Sequence, residues 1–180
     1  MHLDLEHSGP LAPVPPATDA TSRLAEWLEH RLDQTTDWNL DEARLYGVTV
    51  RDAGRLAAES PDADGAARFS LLDRGFPYDV VEGPAALLAG NFDAVALLTL
   101  GWQSPLDDPE APTRPSRHPK RQRVRIVSVV LIEPVPGAAV LATAIRARGA
   151  AVQIHAEGNG RMADAMRNLA AEAVALRLAG

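Results

Sequence analysis

The residues best suited to chemistry lie in one stretch between two apolar segments. Seven basic side chains occur between Arg114 and Arg125, and Trp102 follows the apolar segment that precedes them. Guanidinium groups bind phosphate and carboxylate oxygens, and an indole ring can stack on a base or another ring. The stretch therefore predicts a ligand-binding surface. Its predicted members are Trp102, Arg117, His118, Arg121, Arg123 and Arg125.

A solvated polar loop is the competing interpretation of the same residues. A basic run alone is a weak indication of binding. The length of the loop from Gly101 to Gln122 favours a function, because loops beyond about 12 to 15 residues are usually functional or disordered. The loop also carries carboxylates that can pair with the arginines, namely Asp107, Asp108 and Glu110.

The last three arginines of this stretch alternate with other residues. Arg121, Arg123 and Arg125 therefore share one face of a strand, and we expect that face to be solvated. Arg146 and Arg148 lie at the far end of the next predicted strand, which an antiparallel hairpin would bring beside the same face. The pattern predicts a basic surface at one end of the sheet.

His118 is a second candidate, as a general base or a metal ligand. Histidine is the usual proton carrier near neutral pH, and Ser104, Asp107 and Ser116 are close to it in sequence. The chain has no H-x-H, H-E-x-x-H or G-x-S-x-G motif, and a lone loop histidine is more often structural. The sequence therefore indicates no metal site, and it gives His118 only as a weak catalytic candidate.

The segment Glu157-Gly158-Asn159-Gly160 is a third candidate, because free N–H groups at a helix start can bind an anion. It lacks the glycine spacing and the Lys-Ser/Thr pair of a phosphate-binding loop. A simple helix entry capped by Asn159 is the better interpretation.

Composition limits the class of protein. A chain of 180 residues with 46% hydrophobic residues is typical of one globular domain, and the absence of cysteine excludes disulfides and thiolate zinc sites. A net charge of -6 argues against a general electrostatic surface for nucleic acid. The sequence shows neither a secretory signal nor a stretch long enough to span a membrane. We expect a cytoplasmic protein that has no cofactor and does not associate with a membrane.

The first half of the chain contains a leader and several short elements. Residues 1–19 read as an extended, proline-rich leader, and residues 20–180 as a single domain. The apolar spacing predicts a helix from Thr21 to Asp33, capped by Thr21 or Ser22, with Trp27 in the core. A strand from Ala43 to Val50 is predicted to form a hairpin with Arg55 to Ser60, and a helix from Asp41 or Arg51 to Glu59 is the alternative. A strand from Arg68 to Leu72 and a helix from Pro84 to Ala89 follow.

The second half of the chain supplies the centre of the sheet. Phe92 to Leu100 and Val124 to Ile132 are apolar at nearly every position, as in central strands covered on both faces. A hairpin to Ala139 to Ala147, an edge strand from Val152 to His155 and a closing helix with an apolar stripe follow. These elements predict an α+β domain with a mainly antiparallel sheet of about five to six strands, packed by the N-terminal and C-terminal helices.

A succession of short segments also carries a resemblance to known sequences. It includes Phe76-Pro77-Tyr78-Asp79-Val80, Phe92-Asp93-Ala94-Val95-Ala96, Gly101-Trp102, Ser116-Arg117-His118-Pro119 and Glu157-Gly158-Asn159-Gly160. This succession covers approximately Phe76 to the C-terminus and resembles uncharacterised small proteins of actinobacteria. The resemblance implies no activity. It implies that the Trp-ended strand, the Arg-rich strand entry and the Gly-bounded final helix belong to one constellation.

A non-enzymatic binding module that uses an Arg- and Trp-lined rim is the function these observations favour, because Arg and Trp are enriched at interface hot spots. The partner is predicted to be an unknown protein or an anionic small molecule. One alternative is a binder of nucleic acid or a phosphate ligand through the basic segment 114–125. Another is a hydrolase or transferase that uses His118. A homodimer through an exposed edge strand is also compatible with the pattern.

Overall fold

The computed structural model of the chain describes residues 19–36, 38–54, 65–75, 83–104, 115–158 and 160–180. The predicted leader lies outside these residues except for Asp19, so it stays a prediction. The helices are α1 (Ala20–Thr35), α2 (Gly83–Asn91) and α3 (Arg161–Ala179), with one 3-10 turn at Pro115–Arg117. The strands are β1 (Arg44–Val50), β2 (Ala67–Arg74), β3 (Ala94–Gln103), β4 (Gln122–Leu131), β5 (Leu141–Ala147) and β6 (Gln153–Ala156).

The six strands form one antiparallel sheet in the order β2-β1-β3-β4-β5-β6. The predicted α+β class is therefore confirmed. β3 and β4 are at the centre and pair along their whole length, from Ala94 opposite Leu131 to Gln103 opposite Gln122. At about 3.4 Å per residue, the ten residues of β3 place the two ends of the sheet roughly 30 Å apart.

A helical layer covers each face of the sheet. α1 packs on the face that carries the even-numbered residues of β3, and Leu24, Trp27 and Leu28 are buried in that interface. α2 and α3 pack on the opposite face, where α3 buries Met166 and Leu169 as the apolar stripe predicted. Because both faces are covered, the central strands are apolar at nearly every position.

Helix α1 begins one residue before the predicted caps. Asp19 is the N-cap, and its carboxylate accepts hydrogen bonds from the backbone N–H groups of Thr21 and Ser22 at 3.1 Å each. The prediction of Thr21 or Ser22 as the cap is wrong, because both lie within the first turn. Their hydroxyls have other acceptors, the Ala139 carbonyl for Thr21 and the Asp19 carboxylate for Ser22.

The partner of β1 differs from the predicted hairpin. β1 pairs with β2 on one side and with β3 on the other, so both of its edges are occupied by these two strands. The helical alternative that begins at Asp41 is wrong, because Arg44–Val50 is a strand. The alternative that begins at Arg51 is not contradicted, because Ala53 and Gly54, its last described residues, are helical. Residues 55–60 themselves lie outside the described residues. Gly47 is required in β1, because a Cβ at this position would lie 2.6 Å from the Phe92 ring.

The C-terminal helix has a different cap from the one predicted. Its N-cap is Gly160, with a φ of 103° and no side-chain capping bond. Asn159, the predicted cap, lies one position earlier and outside the described residues. Among the helices of the described residues, none is both long and apolar enough to cross a membrane.

Candidate functional site

Trp102 and two of the predicted arginines meet where β3 ends and β4 begins. Trp102 pairs directly with Arg123 across the two strands, and the guanidinium carbons of Arg121 and Arg123 each lie 5.0 Å from the centre of the Trp102 ring. The indole is 39% exposed. Stacking on the ring is worth about 0.5–1 kcal/mol per exposed cation, so Trp102 holds both guanidinium groups at the surface.

We call four cations the basic rim: Arg121 and Arg123, which stack on Trp102, and Arg117 and Lys120, which precede them in the segment that leads into β4. All are exposed except Arg123, which is half-buried. Among the described residues, no carboxylate lies within 4.0 Å of any of these four cations. The predicted acidic partners at 107, 108 and 110 lie outside the described residues. The rim is therefore a cluster of positive charges in a chain whose net charge is -6.

A small cavity of about 200 Å³ opens beside the rim. It lies between the ends of the two central strands and is lined by Gln103, Ser104, Lys120 and Gln122. These side chains supply amide, hydroxyl and ammonium hydrogen-bond donors. Donors of this kind suit an oxyanion, so the cavity adds a recess to a surface that is already positive.

Arg125 lies on the same strand face as Arg123 but is fully buried, so the expectation of a solvated arginine face is wrong for this residue. Its Nη1 donates to Asp33 at 2.7 Å and to Glu29 at 3.3 Å, and its Nη2 donates to the Thr36 carbonyl at 3.3 Å. The guanidinium also lies 4.5 Å from the centre of the Trp38 ring. Helix α1 covers this part of β4, and the covering helix is what buries the charge.

Arg146 lies beside the opening half of β4, opposite Arg125, but it joins this cluster and not the predicted basic surface. It lies 2.8 Å from Glu29 and 2.7 Å from Asp33, so two cations face two carboxylates. Burial raises the pKa of Glu29, and the guanidinium groups of Arg146 and Arg125 oppose that shift. The buried cluster of Glu29, Asp33, Arg125 and Arg146 ties α1 to the sheet. Arg148 lies beyond β5 and is exposed.

His118 is buried, with 1% of its surface exposed. Its Nδ1 accepts the Lys120 backbone N–H at 3.0 Å, and its carbonyl accepts the Arg121 backbone N–H at 3.2 Å. The ring therefore stabilises the turn that leads into β4 and positions Lys120 and Arg121. Among the residues the structure describes, no group of three or more His, Asp or Glu side chains could hold a metal ion.

The third candidate, the start of α3, lies away from the rim. The Gly158 carbonyl accepts a hydrogen bond from Arg167 at 2.6 Å, and a Cβ on Gly158 would lie 2.8 Å from the Leu141 side chain. Leu141 begins β5, at the end of the sheet opposite Trp102. The structure therefore brings together the Trp-ended strand and the Arg-rich strand entry, and it separates both from the final helix start.

The acidic half of the buried cluster is what sequence reasoning missed. Glu29 lies one turn after the buried Ala25 and one residue after Leu28, within the face of α1 that packs on the sheet. A carboxylate on a buried stripe requires a cationic partner. A carboxylate on the apolar face of a predicted helix, together with arginines in an apolar strand, could have predicted a buried ion pair.

The fold and the site together define a class: an α+β domain with an antiparallel sheet that carries a cationic, Trp-bearing surface at one end. The chain matches no family model, and neither a curated protein nor a solved structure matches it. The resemblance to uncharacterised actinobacterial proteins stays a prediction.

Proposed function

We propose that the protein is a non-enzymatic binding module whose basic rim holds an anionic group of a small molecule or of a protein partner. The observation that carries the proposal is the pair of guanidinium groups stacked on Trp102 with no carboxylate within 4.0 Å among the described residues. Surface cations near carboxylates usually pair with them, as Arg146 does with Asp33. Within the described part of the chain, the rim cations have no such partner and can bind an external anion.

Preorganisation supports the proposal. Holding a mobile side chain on binding costs roughly 0.5–1.5 kcal/mol for each residue that has many rotamers. Arg121 and Arg123 already rest on the indole, and Arg121 also donates to the His118 carbonyl at 3.3 Å. Part of the conformational entropy of these two side chains is therefore already lost in the free protein, before any ligand binds. Arginine forks also match the two oxygens of a carboxylate or a phosphate.

The nucleic-acid alternative has less support. A base would have to stack on Trp102, and two guanidinium groups of the chain itself lie against that ring. The overall charge of -6 would repel a polyphosphate backbone outside the rim.

The hydrolase alternative has less support as well, because His118 is buried and its Nδ1 accepts a backbone N–H.

Calorimetric titration with two anions, inorganic pyrophosphate and a hexaglutamate peptide, tests the proposal. The double variant Arg121→Gln/Arg123→Gln keeps a polar side chain at both positions and removes their charges. Each hydrogen bond to a charged group contributes about 1.5–3 kcal/mol, so we expect the affinity for whichever anion binds to fall at least tenfold. Arg68→Gln is the matched control, because Arg68 is exposed on the edge strand β2.

Either of two results would overturn the proposal. One is that neither anion binds to the unaltered protein at low ionic strength. The other is that the double variant binds as tightly as Arg68→Gln does. A short oligonucleotide that binds more tightly than both anions, with an affinity that falls steeply as salt rises, would favour the nucleic-acid alternative instead.

A further inference from the structure

A second cavity lies at the end of the sheet opposite the rim. It has a volume of about 370 Å³ and opens where α1 begins, where β1 and β4 end and where the C-terminal turn of α3 arrives. Among the described residues, its lining includes Asp19, Arg23, Leu24, Val50, Leu131 and Arg177. The roughly 30 Å length of the central strands separates this cavity from Trp102. One ligand of ordinary size therefore cannot occupy both places.

The walls of the cavity are mainly apolar. Leu24 is fully buried at its base, and Val50 and Leu131 are half-buried strand ends that face it. Val135 is 48% exposed at the opening. Apolar surface of this kind favours an apolar ligand body, because each square ångström removed from water contributes about 25 cal/mol.

The carboxylates of the cavity already have partners. Asp19 accepts hydrogen bonds from Thr21, Ser22 and Ala139. Asp93 accepts the Val50 backbone N–H at 2.7 Å. Glu133 lies 2.6 Å from Arg177, and Arg177 also donates to the carbonyls of Leu88, Ala89 and Phe92. These contacts close the end of α2 and fix the lining.

Arg23 differs from the other charged residues of the lining. The one carboxylate within 4.0 Å of it among the described residues is Glu26, at 3.8 Å, which is too long for a hydrogen bond. The Arg23 guanidinium has no hydrogen-bond acceptor in the described part of the chain, although its side chain is only 27% exposed. It is the group in the lining that can still receive an anion, since a guanidinium carries five N–H donors and no acceptor.

We propose that this cavity binds a medium-chain monocarboxylate, with the hydrocarbon chain against Leu24, Val50 and Leu131 and the carboxylate on Arg23. The volume is near the lower end of small-molecule pockets, which run from about 300 to 1,000 Å³. At about 30 Å³ for a water-sized group, it holds roughly 12 such groups, which suits one short acyl chain and excludes a long lipid. This site is independent of the proposed function of the rim.

Calorimetric titration of the full chain with decanoate tests the proposal, and decylammonium and decanol serve as probes of opposite and of no charge. We expect one decanoate per chain. Arg23→Gln should weaken decanoate binding about tenfold, while it leaves decanol binding unchanged. Arg148→Gln removes the same charge from an exposed position at the other end of the sheet and should have no effect.

Filling the cavity gives a second, sterically different test. Ala53 is an exposed lining residue, so Ala53→Trp should abolish decanoate binding without disturbing the core. Ala20→Leu at the first residue of α1 serves the same purpose if the first variant folds poorly, as judged by circular dichroism. Ala150→Trp, in the exposed turn after β5, is the matched control.

The rim variants separate this site from the proposed function. Arg121→Gln/Arg123→Gln should bind decanoate as the unaltered protein does, and Ala53→Trp should bind pyrophosphate or hexaglutamate unchanged. The proposal is overturned if decanoate does not bind, if decylammonium binds more tightly, or if Ala53→Trp leaves decanoate binding intact. Loss of decanoate binding in the rim variant alone would place the carboxylate at Trp102 and would also overturn it.

Discussion

Replacing Arg125 by Met should lower the free energy of unfolding and leave the rim residues unchanged. Removing one partner of a buried ion pair typically costs 3–5 kcal/mol, because the remaining charge is left buried. Here we expect a loss of about 3 kcal/mol, at the lower end, because Arg146 still lies 2.8 Å from Glu29 and 2.7 Å from Asp33. The Thr36 carbonyl also loses a donor, and Trp38 loses its cation.

Urea denaturation followed by circular dichroism measures that loss. For a chain of this length, 1 kcal/mol corresponds to about 2–4 °C in melting temperature, so heating should show a decrease of roughly 6–12 °C. Arg123→Met is the matched control, because Arg123 lies two residues earlier on the same face and, among the described residues, its guanidinium stacks on Trp102 and has no carboxylate within 4.0 Å. We expect it to cost less than about 1 kcal/mol. Equal losses for the two variants would refute the distinction between a buried cluster and an exposed rim.

The pH dependence of the same variant supplies a further check. Burial raises the pKa of Glu29 above its ordinary value of 4.5, and Arg125 is one of the groups that oppose the shift. Removal of Arg125 should therefore raise the pKa further. A carboxyl group whose pKa is raised by folding stabilises the fold at low pH and loses that contribution as pH rises. The loss caused by Arg125→Met should be smaller near about pH 5 than near about pH 8, and the opposite trend would contradict a charged Glu29 in the cluster.

Three smaller predictions concern the elements that frame the two sites. Asp19→Ala should cost about 0.5–2 kcal/mol in chemical denaturation, because it removes the N-cap of α1. Burial alone would raise the pKa of Asp19, but its hydrogen bonds from Ser22, Ala139 and Thr21 lower that pKa overall. The stabilisation of the fold by the ionised Asp19 carboxylate should therefore be present above about pH 3.8 and be lost in more acidic solution. Gly47→Ala should cost about 1–3 kcal/mol, because the new methyl group would meet the rigid Phe92 ring. Gly101→Ala should cost less, because the atom it meets is the end of the flexible Ile126 side chain; equal losses at the two glycines would argue against this packing.

The fold was largely predictable because hydrophobic periodicity reports on local structure. The spacing of Leu24, Trp27 and Leu28 predicted α1, and two uninterrupted apolar runs predicted the central strands β3 and β4. The pairing of β1 was not predictable in the same way. Its partner β2 begins at Ala67, after the predicted loop at 61–65. Local propensity does not determine which of two candidate strands pairs with β1, because that choice depends on the rest of the sheet.

The candidate site was predictable in part for the same reason. Strand alternation correctly placed Arg121, Arg123 and Arg125 on one face, and Trp102 faces Arg123 across the strands. Alternation cannot show where a covering helix ends. α1 extends over Arg125 and stops before Arg123, so two residues with the same pattern have different environments, one buried and one at the surface.

The most direct test of the central claim is a titration of isotope-labelled protein with pyrophosphate and hexaglutamate, observed by nuclear magnetic resonance at the indole and guanidinium N–H groups. We predict that the signals of Trp102, Arg121 and Arg123 shift with a common dissociation constant for at least one of the two anions, while the Nε–H of Arg125 stays unchanged. Binding at the rim would be contradicted if the signals of Trp102, Arg121 and Arg123 stayed unchanged with both anions, or if the signal of the buried Arg125 shifted instead.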